Sequence, residues 1–232
     1  MPEAPSLDSA RSTLTRERVL RGGVEVADSG GVSRLTMRGL ATTLGYEVMS
    51  LYNHVASKAD LLAGMVDLVV TDIDLPDVEG TGAAGGHEQW QQALRRSCLS
   101  AHDCLLEHPW VSPLWSSTPI GPARLQLMES WLGTLQISDL GPEVPHQGFH
   151  ALSNHVVGFA LQNAEVTQST LPGPEREDFA DRARAFLSAL DQQTYPRMAE
   201  HVARHVEHGE VDASFTFVLD LILDGLVARH PA

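Results

Sequence analysis

Between Leu35 and Lys58 the chain is more constrained than anywhere else: Leu-Thr-Met-Arg-Gly-Leu-Ala-Thr-Thr-Leu-Gly-Tyr-Glu-Val-Met-Ser-Leu-Tyr-Asn-His-Val-Ala-Ser-Lys. Leu35, Leu40, Ala41, Leu44, Val48 and Leu51 are spaced so that two short helices pack together at an angle. Gly45 falls where the first must stop, because glycine takes the left-handed cap without a Cβ clash. Thr36 is placed to cap that first helix. The second helix, about two turns from Glu47, presents Glu47, Met49, Ser50, Tyr52, Asn53 and His54, a face too polar for a core. The pattern predicts a helix-turn-helix, the unit that lays its second helix in the major groove of DNA.

Each side chain on that face suits a contact with nucleic acid. Met49 matches a thymine methyl and Ser50 can hydrogen-bond a base edge. Glu47 can accept from a cytosine amine, or simply favour the positive end of its helix. Tyr52 suits a phosphate, Asn53 and His54 either phosphate or base, and Arg38 projects from the first helix toward the backbone. Ser57-Lys58-Ala59-Asp60 has the form of a capping box opening a helix to about Ile73. Lys58, the chain's only lysine, sits where free amides and the helix dipole already attract phosphate. An amphipathic helix from Thr15 to about Ser29 precedes the motif, with Val19, Leu20, Val24 and Ala27 on one side and Gly30-Gly31 as its stop.

The segment resembles the DNA-binding domain of the tetracycline-repressor (TetR) family. The likeness rests on Leu35-Thr36, Arg38, Leu40-Ala41, Leu44-Gly45, Leu51-Tyr52, His54-Val55, Lys58 and Leu61-Leu62, within about residues 13 to 73. It implies DNA contacts at Met37, Arg38, Val48, Met49, Tyr52, Asn53, His54 and Lys58, with Val48 and Met49 departing toward the apolar. It further implies a double-stranded, palindromic operator, a homodimer joined by a four-helix interface, and a body cavity whose small-molecule effector uncouples the two DNA heads.

Charge divides the chain the same way. Residues 1 to 60 hold seven basic and seven acidic groups, whereas residues 61 to 232 hold nine and 23, which accounts for the whole net charge of −14. Phosphate repels such a body, so it should face away from DNA. Cys98 and Cys104 stand six apart in one helical segment and cannot pair there, which fits a reducing compartment. No stretch is apolar enough to cross a membrane, and Met1 to Ala10 lacks the basic and apolar regions of a signal peptide. A cytoplasmic location is expected.

The expected fold is all-α. A three-helix DNA-binding domain spans residues 13–60, a helix to about 73 joins it to the body, and residues 74–232 form a ligand-binding and dimerisation domain. Residues 1 to 12 read as a disordered arm and 74 to 86 as a linker, while 120–137, 146–168, 174–190, 196–208 and 211–229 read as helices. Leu125, Met128, Trp131, Leu132 and Leu135 mark the apolar side of the first of these. The candidate effector contacts are aromatic and apolar residues Trp115, Met128, Trp131 and Phe159, with His102, Asn154, His155 and Gln162 as polar groups expected to face inward. The helices at 146–168 and 211–229 are apolar most of the way round, broken in the second mainly by Asp220 and Asp224, and so need covering on two sides. Val157, Gly158, Leu161, Val218, Ile222 and Gly225 are the candidate dimer contacts. A mid-helix glycine costs about 1 kcal/mol relative to alanine; Gly158 and Gly225 either admit a second helix or relieve crowding within one subunit. His146 and His150, then His201, His205 and His208, recur at helical spacing without a matching carboxylate and read as solvated faces. No catalytic motif, cofactor loop or metal site is recognised. Two function classes follow: a dimeric, ligand-responsive transcriptional regulator, or a helical binding or enzymatic protein carrying a structural helix-turn-helix.

Overall fold

Helix α1 (Arg16–Gly30) begins where the Thr15 hydroxyl accepts the Arg18 amide at 3.2 Å. It ends at Gly31, which at φ 78° turns its own amide back to the Ala27 carbonyl. A 3₁₀ turn, Val32–Arg34, leads to α2 (Met37–Leu44), capped by Thr36 through the Gly39 amide at 3.0 Å. Gly45 closes α2 in the left-handed region, φ 75° and ψ 32°. Helix α3 (Val48–Tyr52) is five residues, shorter than the two turns expected, and Glu47 precedes it without a side-chain cap. It stops early because Ser57 must become extended, φ −162° and ψ 171°, to cap α4 (Lys58–Val70). This computed structural model describes residues 13–76, 86–137, 140–168, 179–208 and 211–229. The arm at 1–12, most of the linker, the start of the helix expected from Pro174, and Gly209 lie outside them.

Leu35, Leu40, Leu51, Leu61 and Met65 are fully buried between these four helices. Three glycines let the helices approach closely. A Cβ on Gly22 would stand 2.8 Å from the Leu44 side chain, one on Gly23 2.7 Å from the Met65 sulfur, and one on Gly64 2.7 Å from Leu20. Core side chains of α4, among them Val66, Val69 and Val70, continue into the cluster that fills the body.

The body comprises α5 (Gly86–Glu107), α6 (Val111–Leu114), α7 (Pro122–Gln136), α8 (Val144–Gln168), α9 (Phe179–Ala189), α10 (Pro196–His208) and α11 (Val211–Val227). Helix α5 packs on α7, α8 and α11, α8 packs on α6, α7 and α11, and α9 pairs with α10. Helix α8 opens two residues before His146 and takes Pro145 into its first turn, where a missing amide is tolerated. In α7 the buried side is Arg124, Leu127, Trp131, Thr134 and Leu135. Leu125, expected on that side, is 55% exposed, because α7 is rotated to turn Leu127 and Trp131 toward α5 and α8. The aspartates that break the apolar surface of α11 point to α5: Asp220 pairs with Arg95 at 2.7 Å, and Asp224 accepts from the Gln91 amide at 2.8 Å.

Head and body are joined by polar contacts as well. Asp28 of α1 accepts from the Trp110 indole at 2.6 Å and meets His108 Nδ1 at 2.8 Å. Asp67 of α4 accepts the amides of Ala123 and Arg124 at 3.2 and 3.1 Å. Among the described residues no helix is long and apolar enough to cross a membrane, and no group of side chains could hold a metal ion.

Candidate nucleic-acid interface and body cavity

Burying Leu51 and Val55 against the head core turns the other side of α3 outward. Met49 is 72% exposed, and Glu47, Tyr52 and Asn53 are exposed beside it. Positions three and four apart share a helix face, so Met49, Tyr52 and Asn53 form one surface. Ser50 and His54 are half-buried at its edges. Thr36 and Arg38 are exposed at the start of α2. Met37 and Val48 are likewise half-buried, and both also pack on the core. Lys58 is exposed at the first position of α4. It makes no ion pair or hydrogen bond among the described residues, which leaves its ammonium available to an anion.

The corner between α3 and α4 is held from α1. Arg16 donates to the His54 carbonyl at 2.7 Å and makes two bonds to the Asp60 carboxylate, at 2.6 and 3.1 Å. Asp60 accepts the Ala56 amide at 2.7 Å and gives its own amide to the Ser57 hydroxyl. The expected capping box is therefore modified, its carboxylate reaching Ala56 and Arg16. The Arg16 hydrogen bonds, then the Ala56 amide, hold the Asp60 carboxyl below the usual carboxylate range. Sequence reasoning missed Arg16, since nothing local relates it to a residue 44 positions away.

The body candidates fall into three groups. Trp115, Met128 and Trp131 line one apolar void with Ile73, Phe149 and Val157. Its volume is about 20 Å³, room for about one water. The expected cavity is filled by its own aromatic side chains, with Trp131 fixed by a 2.8 Å bond from its indole to Ser97 Oγ. His102, His155 and Phe159 gather elsewhere, around Phe215 of α11. The His102 and His155 rings stack on Phe215 at 4.0 and 4.5 Å. His102 is 3% exposed and its Nε2 has no partner among the described residues, while Nδ1 meets Asp103 at 3.0 Å. His155 donates from Nε2 to the Phe215 carbonyl at 2.9 Å. Burial pushes the His155 pKa down, the carbonyl opposes that, and neighbouring His102 adds to it. Asn154 and Gln162, expected inward, are exposed, because α8 turns Leu152, Val156 and Ala160 to the core instead. Cys98 and Cys104 are buried free thiols, and burial pushes the Cys104 pKa up to about 12.

The apolar surplus of α8 and α11 divides in two. Phe215, Leu219, Leu223 and Leu226 are buried within the chain, whereas Phe217 is 65%, Leu221 57% and Val218 39% exposed. Ile222, Leu161 and Val157 are half-buried. A Cβ on Gly158 would meet nothing within 4 Å, and one on Gly225 would meet only the Arg229 side chain at 3.5 Å. Neither glycine relieves crowding within the described subunit.

Comparison with known proteins agrees with this architecture. Residues 83–230 match the family model described as Tetracyclin repressor-like, C-terminal domain. The chain is 32% identical over 216 residues to an HTH-type transcriptional regulator of Saccharopolyspora erythraea, covering 93% of this chain and 85% of that one. It is 28% identical over 231 residues to the HTH-type transcriptional repressor DrrR1 of Streptomyces coeruleorubidus, covering 93% and 78%. Its fold matches that of the Streptomyces coelicolor TetR family protein ActR in complex with actinorhodin, with TM-score 0.74, 25% identity, and 95% and 100% of the two chains covered. The chain belongs to the tetracycline-repressor (TetR) family of transcriptional repressors, which bind DNA through a helix-turn-helix and respond to ligands, and it is a DNA-binding regulator of that kind.

Proposed function

We propose that the protein is a two-fold dimeric, non-enzymatic repressor of the cytoplasm, released from a near-palindromic operator when a mostly apolar effector enters its body. The reading is carried by one observation: the exposed surface of α3, flanked by the free ammonium of Lys58, stands on the near-neutral end of an acidic chain. Met49 and Ser50 select bases, Glu47 and Asn53 assist at the groove, and Thr36, Arg38, Tyr52, His54 and Lys58 hold the backbone. Met37 and Val48 act by seating α3.

Dimerisation is supported by the exposed apolar strip of Phe217, Val218 and Leu221, and by the open space over Gly158. A second copy fits both. The effector site is the void among Trp115, Met128, Trp131 and Phe149, supported by its apolar lining and by the relative ActR, solved with actinorhodin. A drug-sized ligand needs roughly 300 Å³ or more, so these side chains must move to admit it. An effector that binds only the opened arrangement then shifts the population away from the closed one. Selection of genomic fragments by the pure protein tests the reading. The expected product is a near-palindrome with half-sites one helical turn, roughly 34 Å, apart; failure to enrich any fragment would overturn it.

A further inference from the structure

Helix α7 starts without a cap of its own. Its N-cap position is Gly121, and no side chain there can accept the free amides of the first turn. Asp67, from the last turn of α4, does so instead: its two carboxylate oxygens take the amides of Ala123 and Arg124. An N-cap residue normally serves these same two positions, the second and third of the helix. The carboxylate also complements the positive end of the helix dipole. Gly121 cedes the place sterically, since a Cβ there would lie 2.3 Å from the Asp67 carboxyl carbon.

Arg124 carries the connection onward. Its guanidinium is buried, 2% exposed, and faces carbonyl oxygens rather than a carboxylate. It donates to Trp115 O at 2.5 Å, to Thr118 O at 3.1 Å and to Pro119 O. It also lies 5.4 Å from the Trp115 ring centre. Trp115 in turn lines the body void together with Ile73, just beyond the end of α4. One unbroken run of contacts therefore leads from the void wall, through Trp115 and Arg124, to the α7 amides and the Asp67 carboxylate.

We propose that Asp67 and Arg124 are the positioning residues that transmit the state of the effector site to the DNA head. The proposal rests on the effector-release reading and names its regulation. The void is too small for a drug-sized molecule and Trp115 forms part of its wall, so an effector that displaces Trp115 pulls Arg124 and the start of α7 with it. Asp67 must then follow or lose both amide bonds, and either outcome changes where α4 holds the head. By reciprocity, DNA that fixes the head must steady the α6–α7 corner.

The contact can be separated from its structural role by moving the cap. Gly121 has φ −91° and ψ 175°, a conformation open to any residue, so in the double variant Asp67→Ala/Gly121→Asp a local carboxylate caps α7 without touching α4. Asp67→Ala alone should lower the Tm, and the second change should restore most of it. Amide hydrogen exchange is then followed for wild type and double variant, free and bound to a duplex selected from the genome. In the wild type, DNA should slow exchange of residues 111–124 by roughly fivefold or more, the lower end of allosteric couplings. In the double variant, protection of residues 48–58 should be retained while residues 111–124 change less than about twofold. Equal protection of 111–124 in both proteins, or none in the wild type, overturns the proposal. A wild type that binds no duplex overturns the DNA reading and the proposal together.

Discussion

In the proposed interface, Lys58 and Met49 divide the work of recognition. Lys58 is a charge at a helix start and has no partner within the described residues, which suits it to any phosphate regardless of sequence. Met49 is a large apolar side chain left 72% exposed, which suits contact with a base methyl. Lys58→Ala should weaken binding to all duplexes alike and lower the salt slope by about one unit. Titrations of one duplex at several salt concentrations check this, and an unchanged slope removes Lys58 from the phosphate contacts. At this scale the sequence is a good guide wherever the chemistry is local. Thr15, Thr36 and Ser57 each cap a helix as their positions imply, and Gly31 and Gly45 take positive φ. It fails for Asn154 and Gln162, whose outward direction follows from how α8 is rotated against its neighbours.

Helices α5, α8 and α11 meet where His102 and His155 stack on Phe215, and among the described residues the charged groups along this seam include Asp103, the Arg95–Asp220 pair and Asp224. His155 has its pKa lowered mainly by burial, so the fold favours neutral imidazole, while the unfolded chain titrates near 6.5. The unfolded state then binds more protons as pH falls through 6.5, and stability falls with it. In His155→Gln the amide can still donate to the Phe215 carbonyl but does not titrate. Its Tm should fall less than that of the wild type between pH 7.5 and 5.5; equal losses would show that His155 is not a source of the acid sensitivity. The periodicity located α7, α8, α10 and α11 to within a few residues, while the start of the helix expected from Pro174 lies outside the described residues. Which face of each helix is buried was less legible, as Leu125 shows, because α7 is apolar on more than one side.

At the scale of the molecule, the unequal charge of the two halves and the uncovered strip on α11 belong to one design. In the proposed assembly the acidic body stands off from phosphate, and a second copy covers the exposed Phe217, Val218 and Leu221. Leu221→Glu places a charge in that proposed seam without disturbing the head, because Leu221 is 57% exposed within its own chain. Light scattering at micromolar concentration should find wild type dimeric and the variant monomeric, with unchanged helicity and loss of operator binding. A variant that stays dimeric excludes α11 from the interface. Ile222, half-buried against its own core, is the poorer site for this test.

The all-helical fold, the helix-turn-helix and most of its outward face could be read from residue order alone. Caps, left-handed glycines and helical periodicity act over a few residues, so their physics is written locally. Tertiary structure decided what depends on the rotation and approach of distant helices. It pinned the α3–α4 corner through Arg16 and Asp60, filled the body cavity with its own aromatic side chains, and turned Asn154 and Gln162 to solvent. It also gave the lone carboxylate within the apolar run of α4, Asp67, a partner more than 50 residues away. A charge in an apolar helix signals that some partner is needed, but only the packing of α4 on α7 determines which amides it meets.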